Sequence, residues 1–134
     1  MKYVNKRMTI VINRMVTEIT GGHVMSMENL RQGANLGFID YIHSNSLFGQ
    51  EIYPDIFHMA GAYMFYVIKD HMFQDGNKRT GLACAMTFLQ WNGYTIKEFD
   101  HDNVFNFTVG IASGENNPDN VIPKIAEWLK SIVE

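Results

Sequence analysis

Cysteine is almost absent from this sequence. The single Cys84 can form no disulfide within the chain, and inside Leu-Ala-Cys-Ala-Met it reads as a small buried hydrophobe. No cysteine and histidine spacing matches a zinc site. No apolar run approaches the ~18 residues of a membrane-spanning helix. The opening stretch MKYVNKRMTIVINRM is interrupted by Asn5, Lys6, Arg7 and Asn13. It therefore lacks the apolar core of a signal peptide, and a cytoplasmic protein is expected. Neither sign of charge is in large excess. The net charge of -3 supplies no general attraction to nucleic acid or to an anionic membrane, so a bound anion must be held by a local site. Strand-like sequence is scarce too: Tyr-Thr-Ile-Lys-Glu-Phe, residues 94–99, stands alone, and one strand makes no sheet.

What is present is bulky core material. With 46% hydrophobic and only 19% charged residues, the composition is that of a globular domain rather than a disordered chain. Met8, Val11, Ile12, Met15, Val16 and Ile19 recur at helical spacing, and Gly21-Gly22 stop that helix. A weaker helical pattern covers about Glu28–His43, with Gly33 and Gly37 inside it. Residues 44–54 read as a loop, and Pro54 suits the first turn of the next helix. Asp55–Asp70 is apolar nearly all round, as in a helix buried on most sides. A further helix starts at Arg79, carries Leu82, Ala85, Met86 and Leu89 on one face and stops at Gly93. Asp100 is placed to cap the next, which Ser113-Gly114 ends. The last carries Val121, Ile122, Ile125, Trp128, Leu129 and Ile132, with Pro123 confined to its first turn. The expected fold is all-α: a compact bundle of about six helices forming one domain over residues 1–134.

Between the two most apolar helices lies His-Met-Phe-Gln-Asp-Gly-Asn-Lys-Arg-Thr-Gly, residues 71–81. Gly76 permits a tight loop, whose free N–H groups and following helix N-terminus form an anion site. Lys78 and Arg79 add charge there that suits phosphate. Two cations at a helix N-terminus oppose its dipole at roughly 0.3–1 kcal/mol each, which points to a purpose other than stability. Asp75 offers a hard oxygen ligand for Mg²⁺, which binds few carboxylates alongside phosphates. Asn77 can donate to phosphate or brace the loop. His71 has the ordinary pKa of a general base near neutrality. Singly, each is an ordinary capping, turn-forming or solvated residue. Their convergence in one short loop carries the reading.

These residues resemble the motif of the Doc (death-on-curing) branch of the Fic fold at His71, Phe73, Asp75, Asn77, Lys78 and Arg79. Segments including Glu-Ile-Tyr-Pro-Asp-Ile-Phe-His-Met-Ala-Gly-Ala-Tyr and Phe-Leu-Gln-Trp-Asn-Gly-Tyr extend the likeness along most of the chain. The resemblance implies a toxin that transfers the γ-phosphate of ATP to a threonine of elongation factor Tu, blocking protein synthesis, and that a partner antitoxin silences. His71 would activate the hydroxyl, Asp75 would help hold Mg²⁺, and Gly76, Asn77, Lys78 and Arg79 would hold the nucleotide's phosphates. Phe73 would anchor the loop in the core. Adenylyl-transferring relatives have glycine in place of Lys78 and arginine in place of Leu82, so the pattern here points to phosphoryl transfer. Gly76, where Doc proteins often have alanine, is the Fic-like feature. AMP transfer and a non-catalytic phosphate- or partner-binding module are the alternatives. The Ser/Thr-x-x-x-Glu-Gly/Asn motif of self-inhibited relatives does not occur, so inhibition is expected from another protein.

Other residues admit bland and functional readings. Lys69, close before His71, and Arg31 could reach the phosphates. His23, His43, His58 and His101 read as surface or satisfied core residues, and Trp91 and Trp128 as core or groove residues on helices.

Overall fold

A computed structural model describes residues 1–22, 28–47 and 50–134 of the chain. His23 lies outside the described residues. Helix α1 (Lys6–Ile19) is followed by the short α2 (Phe38–Ser44), a two-stranded hairpin of β1 (Ser46–Leu47) and β2 (Gln50–Glu51), then α3 (Ile56–Lys69), α4 (Asn77–Trp91), α5 (His101–Ser113) and α6 (Pro118–Ser131). The fold is all-α, as the sequence implies, and no helix among the described residues is long and apolar enough to cross a membrane.

The core forms around α3. Its residues Met59–Phe65, Val67 and Ile68 are all buried, because its sequence offers no polar face. It packs chiefly against α4 and α6. Gly81 makes the α3–α4 approach possible: a Cβ there would lie 2.9 Å from Ile68 Cγ1 and 3.2 Å from the Met64 carbonyl. Phe88 and Leu89 of α4 and Ile125 and Leu129 of α6 complete this interior. Cys84 is fully buried, as expected.

Caps define the helix starts. Asn5, Asp55, Asp100 and Asn117 each accept a backbone N–H from the first turn of α1, α3, α5 and α6. Asp100 and Gly114 bound α5 as the sequence indicates.

Several boundaries differ from the sequence reading. The helical pattern expected over Glu28–His43 yields a helix only from Phe38. Upstream of it, Asn29 and Gly33 take positive φ values of 55° and 80°, and Leu30 bridges to Phe73. Long-range pairing has taken the backbone groups a helix would use. The expected loop at 44–54 contains the hairpin, with Ser46 opposite Glu51 and Leu47 opposite Gln50. Pro54 precedes the cap Asp55 rather than entering α3. Pro118, not Pro123, takes the first turn of α6, and Pro123 lies inside that helix. Its missing N–H would have reached Asp119, so only one early bond is forfeited. The lone strand-like stretch also finds a partner: Ile96 bridges to Val133, with Lys97 N–H donating to Ile132 O at 2.8 Å and Glu134 N–H to Thr95 O at 2.9 Å.

Candidate active site

The loop between α3 and α4 is shaped by its neighbours before any ligand is considered. Asp70 caps α3, and His71 turns the chain away with φ of 47°, a left-handed conformation that costs a non-glycine residue roughly 1–2 kcal/mol. Met72 and Phe73 then dip into the core, with Phe73 only 1% exposed. The segment around Leu30 seals the loop's edge: Arg31 N–H donates to Met72 O at 3.0 Å and Gln74 N–H to Asn29 O at 2.9 Å. Asn77 closes the loop on itself, its Oδ1 accepting from Phe73 N–H at 2.9 Å and its Nδ2 donating to Phe73 O at 2.8 Å. Of the two roles the sequence allowed Asn77, the side chain performs the bracing one. His71, Gln74 and Asp75 remain exposed.

Gly76 sits at the N-cap of α4 with φ of 79° and no side chain caps the helix. Each of the other long helices has a capping side chain. The first turn of α4 therefore presents the positive end of the dipole next to a cap residue that has no side chain of its own. Lys78 and Arg79 line a cleft of about 470 Å³ that α4 shares with Phe99 and with His101 and Phe105 of α5. His71 lines a smaller recess of about 180 Å³ with Arg31 and Asp70. The structure thus gathers Asp75, Gly76, Lys78 and Arg79 at one helix start, while His71 and the two cations open onto separate hollows.

Arg31 does come to this region, its guanidinium 3.4 Å from the His71 carbonyl. Lys69 points elsewhere. Its ammonium donates to the Ala112 carbonyl at 3.1 Å and also to that of Gly114, at the end of α5, where the dipole favours a cation. His58 is held by the Asp55 carboxylate at 2.8 Å, and His43 stacks on Tyr3. Trp128 stacks on Phe107 at 4.2 Å, whereas Trp91 is 40% exposed.

Beneath the loop lies a polar layer that the motif alone does not reveal. Asn13, Thr17, Asn29 and Thr80 are all buried. Asn13 Nδ2 donates to the Asp75 carbonyl at 2.9 Å and to Thr80 Oγ1 at 3.0 Å, and its Oδ1 accepts from Asn29 Nδ2 at 2.9 Å. The antiparallel α1 and α4 meet along a stripe in which Thr9 lies beside Cys84, Asn13 bonds Thr80, and Thr17 lies against Gly76. Thr9, Asn13 and Thr17 recur every fourth residue beside the apolar face of α1. A polar stripe at that spacing was the available signal.

The electrostatics separate inert groups from exposed ones. Burial pushes the Cys84 thiol up to about 12, so it is no nucleophile at neutral pH. Burial also raises the Asp70 carboxyl above its ordinary value, partly offset by neighbouring His71. The described residues contain no group of three or more His, Cys, Asp or Glu arranged to hold a metal. Asp75 is the carboxylate beside the α4 N-terminus, and its Oδ1 accepts the Gly76 N–H at 2.8 Å. Such a donor set fits Mg²⁺ bound mainly through phosphate and water.

A sequence model of the Fic/DOC family matches residues 3–89. The chain is 37% identical over 67 residues to the protein kinase doc of Escherichia phage P1, covering 50% of this chain and 52% of that protein. It is 30% identical over 82 residues to the toxin Doc of Mycolicibacterium smegmatis, covering 60% of this chain and 63% of that one. The chain thus spans between half and two thirds of the length of these relatives.

Proposed function

Because the chain belongs to the Fic/DOC family, we propose that it is a toxin that transfers the γ-phosphate of ATP to a threonine hydroxyl of elongation factor Tu. In this reading residues 1–134 act as one Fic/Doc domain in the cytoplasm, and an antitoxin protein silences it in trans. The relatives' names, a kinase and a toxin, support the class of activity. The observation that carries it is the α4 N-terminus, which starts from a glycine N-cap and carries Lys78 and Arg79 in its first turn, so soon after the exposed His71.

Each residue then has a task. His71 takes the proton of the attacking hydroxyl, a role worth about 10²–10⁴-fold in rate. The first-turn N–H groups of α4, with Lys78 and Arg79, hold the phosphates and receive charge developing in transfer. Asp75 would hold Mg²⁺, which would supply neutralisation of phosphate charge. Asn77 keeps the loop closed. Lys78 fills space that a glycine would leave for a nucleotide laid along the loop, which favours the γ-phosphate nearest His71.

Incubating the protein with elongation factor Tu and ATP labelled at the γ- or the α-phosphate tests the reading. Label from the γ position alone, with a mass gain of one phosphoryl group on the target, is expected. An AMP adduct would reverse the choice of reaction. No transfer by a protein that binds its partner would make it a binding module.

A further inference from the structure

The Asp75–Gly76 peptide is held from outside the loop. Its carbonyl is the acceptor for Asn13 Nδ2 at 2.9 Å. A carbonyl can only accept, so the amide orientation of Asn13 follows from its partner. Asn13 cannot rotate away without loss, because Thr80 Oγ1 and Asn29 Nδ2 hold its remaining donor and acceptor sites. Asn13, Asn29 and Thr80 are each 0% exposed, so no water replaces a broken bond at low cost.

A trans peptide is planar, and its C=O and N–H point in opposite directions. Fixing the Asp75 carbonyl inward, onto α1, therefore fixes the Gly76 N–H outward. That N–H is the donor to Asp75 Oδ1 at 2.8 Å. A chain of hydrogen bonds thus runs from Asn13 through one rigid peptide to the carboxylate. We propose that Asn13 is a positioning residue that orients the Asp75 carboxylate and the N-cap peptide of α4 for Mg²⁺-bound phosphate. This rests on the reading of the loop as the phosphate site. Asn13 would itself touch neither nucleotide nor metal.

Supporting partners one layer behind a metal ligand typically account for 10- to 100-fold in metal affinity or activity. Asn13→Ala should raise the Mg²⁺ concentration for half-maximal transfer by about that factor. On an Asp75→Asn background the same substitution should add little. Full additivity of the two effects would reduce Asn13 to a structural residue and overturn the proposal.

A second measurement needs neither nucleotide nor activity. In the free protein, Asn13→Ala should speed hydrogen exchange at the Gly76 amide while exchange in α3 stays slow. Unchanged exchange at Gly76 overturns the proposal even if transfer is never seen. Absence of MgATP binding by the wild type, with exchange as expected, would fail the functional reading instead. Asn13→Asp keeps an acceptor for Asn29 but offers the Asp75 carbonyl no hydrogen. It should reproduce the Gly76 effect in a folded protein, and wild-type exchange in this variant would count against the proposal.

Discussion

His71 and Gly76 both take positive φ, for different reasons and at different cost. His71 is exposed. His71→Ala should leave the melting temperature nearly unchanged and reduce transfer by about 10²–10⁴-fold. A variant as active as the wild type in the γ-phosphate assay would remove His71 from the mechanism. Gly76 is constrained twice, since a Cβ there would meet Thr17 Oγ1 at 2.4 Å as well as suffer its φ of 79°. Gly76→Ala should destabilise the fold by more than the roughly 1 kcal/mol of left-handed strain alone. Adding Thr17→Ala should recover the steric part and not the strain, which thermal melting of the two variants separates. The grouping of Asp75, Gly76, Lys78 and Arg79 at one helix start was legible because these residues are near one another in sequence. Its support was not, because Asn13 and Asn29 reach the loop only through tertiary packing. Lys69 shows the converse: closeness in sequence suggested the phosphates, but the C-terminal carbonyls of α5 satisfy its ammonium instead.

At the scale of elements, legibility followed local determinants. Asp55, Asp100 and Gly114 mark real boundaries because capping is decided within a turn. The segment at 28–37 forms no helix because its backbone partners, Met72, Phe73 and Gln74, are remote in sequence. Helix α3 carries an acid at each end, and the two should respond to pH with opposite sign. At the N-terminus, burial tends to raise the pKa of Asp55, but hydrogen bonds from His58 and the charges of His58 and Lys130 lower it overall. Its folded value thus lies below the unfolded one. Its stabilisation is complete above the ordinary carboxylate pKa of about 3.9 and disappears as pH falls through the folded value. Asp70, at the negative end of the dipole, has a raised value, chiefly from burial. Its charge therefore costs stability, and that cost appears as pH rises from about 3.9 through the folded value. Asp70→Asn should melt slightly above the wild type at neutral pH and converge with it in acid. Asp55→Ala should cost about 1 kcal/mol at neutral pH, with a smaller difference below pH ~3.9. Melting curves from acid to neutral pH check both, and a shift of the same sign for the two variants would contradict the assignment.

The whole molecule contains its own reporter of opening. Cys84 is the one cysteine of the chain, it is 0% exposed, and burial holds its thiol up to about 12. It lies on α4 against Thr9 of α1, behind the same helix whose N-terminus is the proposed phosphate site. A thiol reagent can reach it only when α4 leaves its place between α1 and α3, which dismantles the core. Labelling under conditions where closing outpaces reaction then measures the population of the open state. A ligand that binds only the folded protein lowers that population by the factor 1 + [L]/Kd, about 100-fold or 2.7 kcal/mol at 100 times Kd. MgATP at that excess should therefore slow Cys84 labelling about 100-fold, and should do much less to a Lys78→Ala/Arg79→Ala variant. The double variant should itself label slightly more slowly than wild type without nucleotide, because removing two cations from a helix start relieves dipole repulsion. The denaturant dependence of the rate shows whether the opening is global. If it is, labelling indifferent to MgATP in the wild type means that the α4 N-terminus holds no nucleotide.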